Sequence, residues 1–137
     1  MLFIDGNKED RSYFVERLKT HLYDYHIIEA DTGGAGREIL RHQSVDCIVL
    51  ELDLTDVSPF VILVNSVKRV HSPSMPVVVL THVPNRYLWE LARSNGAYAC
   101  LWKPQATGDM LAMTILRALA HIPPKKKERH LPRFSFE

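Results

Sequence analysis

Four residues of this chain have types and positions that suit joint chemistry: Asp5, Glu51, Thr81 and Lys103. They are an acid, a second acid, a hydroxyl and an amine. Each lies at or near the end of a short apolar run, or directly follows one: Met1–Asp5 (MLFID), Cys47–Leu52 (CIVLEL), Val77–Thr81 (VVVLT) and Tyr98–Trp102 (YACLW). A buried lysine needs a partner, so a Glu51–Lys103 ion pair is the plainest chemistry on offer. Asp53, two residues beyond Glu51, is a further carboxylate, and Asp56 reads as a loop residue. His82, beside Thr81, reads as an exposed loop histidine, with donation to a site anion as the alternative. Cys47 and Cys100 lie inside apolar runs without CxxC spacing and read as reduced core thiols. The seven histidines lack ligand spacing, which argues against zinc. The loop Asp5–Asp10 (DGNKED) is acidic with one glycine, so it repels phosphate rather than cradling it, and a phosphate-bearing cofactor such as a flavin nucleotide is disfavoured.

The elements that must position these residues alternate strand with helix. Helical spacing follows the first run over Lys8–Leu22, with Asp5-Gly6-Asn7 as its turn and cap. His26–Ala30 reads as a second strand, Thr32-Gly33-Gly34 as a break and Ala35–His42 as a short helix. After the third strand, Cys47–Leu52, the polar loop Asp53–Pro59 leads into a helix over Phe60–Val70 and a break at Ser72–Pro76. Val77–Thr81 is the fourth strand. Pro84–Asn95 is a helix stopped by Gly96, Tyr98–Trp102 is the fifth strand, and a last helical region runs from Pro104 to about His121. The third and fourth strands are apolar on both faces, as central parallel strands are. Five such units predict a doubly wound open α/β sheet, whose site lies at the C-terminal strand ends. That is where the four residues fall.

The chain has 137 residues, the length of one domain, with 17 basic against 16 acidic side chains. A net charge of +1 makes no electrostatic case for nucleic acid. No apolar run approaches the roughly 20 residues that cross a bilayer, and the N-terminal residues do not read as a signal peptide; a cytoplasmic location is expected. Residues 122–137 are proline-broken and carry a lysine triplet, and read as a basic linker or tail after a domain at 1–121.

The set as a whole resembles the receiver domain of two-component response regulators. An acid after the first strand, a carboxylate ending the third, Thr81 ending the fourth and Lys103-Pro104 after the fifth stand in the family's order, with Gly96-Ala97 before the fifth strand. The resemblance implies a flavodoxin-like (βα)5 sheet in the order 2-1-3-4-5. It also implies a phosphorelay in which an aspartate at the position of Glu51 takes phosphate from a histidine kinase. The lysine and threonine would contact phosphoryl oxygens, Mg²⁺ would sit on the acids, and a fifth-strand aromatic would pass the change to the face of the fourth helix, fifth strand and fifth helix. Partners would be a histidine kinase, an output domain or a second copy.

Against that pattern, Glu51 replaces the phosphoacceptor aspartate, Gly6 replaces the second acid, Cys100 stands at the switch aromatic and Pro59 at a loop glycine. Three readings of Glu51 stand open. It is an ion-pair partner of Lys103 in a domain that no longer switches, a fixed imitation of the phosphorylated state, or a bystander to residual phosphorylation or metal binding at Asp53. The expected Mg²⁺ site, from Asp5, Glu51 and Asp53, is weak or absent. No other cofactor is expected. Cys100 and Trp102 should share the signalling face by strand alternation, joined by Tyr98; the plainer reading packs Trp102 under the fifth helix. The expected function is a protein-interaction module in signalling, and not an enzyme, with a working phosphoacceptor as the alternative.

Overall fold

A computed structural model describes residues 1–67 and 75–120. The expected end of the third helix at residues 68–70, most of the break that follows it, and the tail at 122–137 lie outside the described residues. The chain runs β1 (Leu2–Ile4), α1 (Lys8–His21), β2 (Ile28–Ala30), α2 (Gly33–His42), β3 (Ile48–Leu50), α3 (Pro59–Val67), β4 (Val77–Thr81), α4 (Arg86–Ser94), β5 (Ala99–Trp102) and α5 (Gly108–Ala120). All pairings are parallel, in the order β2-β1-β3-β4-β5. The fold is the flavodoxin-like α/β sheet expected from the sequence.

Alternation along each strand divides the core in two. Phe3, Val49, Val78 and Leu80 pack with Phe14, Leu18, Leu111 and Ile115, so α1 and α5 cover one face. Leu2, Ile4, Leu50, Val77 and Val79 pack with Ile62, Leu63 and Ala92, so α3 and α4, with Ile39 of α2, cover the other. Burial of this apolar surface on both sides is the main force holding the sheet. Among the described residues no helix is long and apolar enough to cross a membrane.

Two boundaries differ instructively from expectation. The glycines read as a break begin α2: Thr32 Oγ1 accepts from the Ala35 N–H, and the Asp56 carboxylate accepts from the Gly33 and Gly34 N–H groups at 3.0 and 2.8 Å. Asp56, read as a loop residue, is therefore a cap supplied from the β3–α3 loop. A side chain at Gly33 would sit 2.9 Å from Val57 Cβ, so the loop approaches where only glycine leaves room. After β5, Pro104 lies in a 3-10 turn over Lys103–Gln105, and α5 starts only at Gly108. That turn fixes Lys103 at the sheet edge.

Candidate functional site at the C-terminal strand ends

Asp5 and Glu51 sit one residue beyond β1 and β3, still tied to the sheet. The Asp5 N–H donates to Ala30 O at 3.0 Å and the Glu51 N–H to Ile4 O at 3.1 Å. Alternation carries both acids toward the α1–α5 side, where Phe3 and Val49 point. Lys103 reaches the same place from the turn after β5. Its Nζ lies 2.7 Å from Asp5 Oδ2, 2.9 Å from Asp10 Oδ2 and 3.2 Å from Glu51 Oε1. Asp5, Glu51 and Lys103 are buried, their side chains 1, 2 and 7% exposed. Three carboxylates thus meet an ammonium that has three protons to donate.

The electrostatics follow from that meeting. Burial works to lower the Lys103 pKa, but the hydrogen bonds to Asp5 and Asp10 and the Glu51 charge outweigh it and hold the ammonium above its ordinary value. Burial lifts Asp5, while Lys103 and the Asn7 N–H, 2.9 Å from its Oδ1, pull it part of the way back.

Glu51 is engaged on both oxygens. Oε2 accepts from the Leu52 N–H at 2.6 Å. Oε1 faces Lys103 and also accepts from the His82 N–H at 3.1 Å, with His82 Nδ1 at 2.9 Å. The other ring nitrogen, Nε2, lies 3.2 Å from Asp53 Oδ2. His82 was expected as an exposed loop histidine; its ring is half exposed yet bridges two carboxylates. Asp53 does not join Asp5 at the buried cluster. It stands exposed on the rim of a cavity of about 310 Å³ that Asp5, Asp31, Glu51, Asp56 and His82 also line.

Thr81 is fully buried, but its Oγ1 accepts from the Val83 N–H at 3.0 Å. By strand alternation it shares the side of Val77 and Val79, while its neighbour His82 reaches Glu51. Trp102 pairs with Thr81 and so lies on the α4 side too. Its ring is 6.3 Å from that of Trp89 on α4, which corrects the placement under the fifth helix. Cys100 shares that side, its Sγ 3.4 Å from Trp89 O. Tyr98 does not: it precedes β5 and packs against the α1–α5 core.

Mg²⁺ is the ion that the family resemblance implies. That ion needs near-octahedral oxygen ligands at about 2.0–2.1 Å, usually carboxylates with several waters. Here Gly6 offers no carboxylate, the oxygens of Asp5 and Glu51 are committed to Lys103, His82 and backbone N–H groups, and among the described residues no group of three or more His, Cys, Asp or Glu side chains is arranged to hold a metal.

Sequence reasoning missed Asp10. Its signal was helical: it lies one turn before Phe14, which α1 buries, so it points toward the sheet edge where Lys103 arrives.

The chain matches the family model described as the response regulator receiver domain over residues 1–115. Solved structures agree in fold. A response regulator receiver domain protein (CheY-like) from Methanospirillum hungatei JF-1 superposes with a TM-score of 0.75 at 19% identity, covering 87% of this chain and 91% of that one. A response regulator receiver domain protein from Clostridium thermocellum gives 0.68 at 25%, covering 87 and 92%. A response regulator from Burkholderia pseudomallei, solved with a phosphorylated aspartic acid, calcium ion and citrate, gives 0.64 at 22%, covering 86 and 64%. No curated protein sequence matches.

Proposed function

We propose that this chain, which belongs to the response regulator receiver domain family and is a receiver domain of two-component signalling, has its phosphorylation site closed by an internal ion-pair cluster and works as a protein-interaction module. The observation that carries this reading is the commitment of Lys103. In the family the lysine contacts the phosphoryl group; here three carboxylates take its ammonium. With Mg²⁺ unsupported, the cavity above the cluster is lined by more carboxylates than cations, which disfavours an anionic phosphoryl donor. Glu51 is also a poor nucleophile, since it is buried and both its oxygens are bonded. The reading makes Glu51 the structural partner of Lys103.

The partner-binding surface, on this reading, is the side of α4, β5 and α5 that carries Cys100 and Trp102. Support comes from large apolar side chains left exposed on the two helices: Tyr87 on α4, and Met110 and Met113 on α5. A histidine kinase, an output domain or a second copy fits the family.

The test is intact-mass measurement after incubation with acetyl phosphate and Mg²⁺. No mass gain is expected. A gain of one phosphate overturns the reading, and its loss on Asp53→Asn would identify Asp53 as the acceptor. Titration with Mg²⁺ alone should show no saturable site below about 1 mM, the weak end for carboxylate sites.

A further inference from the structure

The β4–α4 loop is fastened at both ends of one residue. On one side, His82 meets Glu51 Oε1 through its backbone N–H at 3.1 Å and through ring Nδ1 at 2.9 Å. On the other, the His82 carbonyl faces the Trp102 indole N–H at 3.4 Å. The next residue continues the pattern, since Val83 O accepts from the Trp89 indole N–H at 2.9 Å. The chain's two tryptophans, which pack on each other, thus both hang from the loop that His82 ties to the buried cluster. The Trp102 contact is longer than an ordinary N–H···O bond, so a small shift of the His82 carbonyl changes it strongly.

The relay implied by the family resemblance lacks its fifth-strand aromatic. Cys100 stands where the aromatic would be, and Thr81 Oγ1 accepts from the Val83 N–H. We propose that His82 is a positioning residue that couples the Glu51–Lys103 cluster to the Trp89–Trp102 surface, through its ring contact with Glu51 and its carbonyl contact with Trp102. It rests on the reading of Glu51 as a structural partner of Lys103. The state of that cluster, rather than a phosphoryl group, then sets where the tryptophans sit.

Coupling of this kind is established by a double-mutant cycle and not by spatial intermediacy. Glu51→Gln keeps an acceptor for the His82 N–H and removes the charge that the ring and Lys103 share, so it reads the ring contact. The readout is the pair of indole ¹H–¹⁵N resonances of the full chain, assigned with Trp89→Phe, with no phosphoryl donor present. E51Q is expected to shift the Trp102 resonance in the protein with His82 and to leave it in place in the His82→Ala background. His82→Asn puts an amide nitrogen near the place of Nδ1, cannot reach Asp53, and should preserve the shift; His82→Gln favours the Asp53 side and should lose it. If H82A does not fold by circular dichroism, E51Q is read in the H82Q background instead. Equal shifts with and without His82, no shift in either, or a shift that survives in H82Q but not in H82N overturn the proposal. A phosphate gained in the mass experiment would overturn the closed-site reading without altering the cycle, so the two failures are told apart.

Discussion

Replacing Lys103 with methionine removes the ammonium and keeps most of the side chain's length, which makes it a direct probe of the buried cluster. Asp5 and Glu51 would be left as two carboxylates almost out of water, whereas the partly exposed Asp10 can turn to solvent. Removing one partner of a buried ion pair costs about 3–5 kcal/mol. A second estimate bounds the same quantity. A stranded carboxylate can take up a proton instead of staying charged. For a group titrating about three units below neutrality, at about 1.4 kcal/mol per unit, that costs about 4 kcal/mol at pH 7. The two figures agree, and the second adds a signature: if the penalty is proton uptake, it shrinks by about 1.4 kcal/mol for each unit the pH falls.

Urea unfolding at about pH 7 and about pH 5 measures both. The expected result is a loss of about 3–5 kcal/mol near neutrality and a clearly smaller loss in acid. Adding Glu51→Gln to Lys103→Met should recover part of it, since one buried charge then disappears. A loss below about 1 kcal/mol, unchanged with pH, is the signature of a solvated surface pair and would refute the cluster as described.

Further outcomes follow from the same geometry. Because the Lys103 pKa is held above 10.5 in the folded protein, its stabilising contribution is complete below that pH and is lost as the pH rises through the folded value; melting temperatures should fall there in the parent and less in Lys103→Met. The Asp56 carboxyl is held below 3.8 by the Gly34 and Gly33 N–H groups, so its contribution is present above 3.8 and is lost as pH falls through the folded value; Asp56→Ala should flatten that acid limb in a thermal melt. Burial raises the Cys47 thiol to about 12 and Cys100 to about 11, so a thiol reagent near pH 8 should label the native protein slowly and the urea-unfolded protein fast. Glu51→Asp alone should leave Mg²⁺ binding weak, whereas Gly6→Asp with Glu51→Asp should bring the affinity below about 1 mM by calorimetric titration; a Cβ at Gly6 has room, its near neighbour being Asp31 O at 3.4 Å.

The sheet was legible because its strands state their environment in composition. Val77–Thr81 is β-branched and apolar throughout, and the structure buries every residue of it within the expected limits. Strand ends were less legible, since β1 and β3 lose their outer residues to loops whose pairing the apolar run does not announce. The start of α2 depends on a carboxylate more than twenty residues away, which no local signal at Gly33-Gly34 contains. Asp5, Glu51 and Lys103 were found because the C-terminal strand ends must converge. The same rule places Thr81 along its strand but not across it, which pleat parity decides. Asp10 and His82 contribute through helix phase and loop shape, which the strand pattern does not encode.

The extra methylene of Glu51 explains why the changes belong together. A buried carboxylate must satisfy its lone pairs. The Glu51 oxygens do so with the Leu52 N–H, Lys103 and the backbone and ring of His82. Shortened by one carbon, the group would draw back from Lys103 or from His82, and the Lys103 ammonium would rest on Asp5 and Asp10. Glutamate is therefore the length that lets one carboxylate tie the turn after β5 to the loop after β4. With that tie made, a second acid at Gly6 would add charge to a cluster already richer in carboxylates than in cations. On the closed-site reading, Glu51 and Gly6 are thus two parts of one electrostatic solution, in which the Lys103 ammonium holds the acids together.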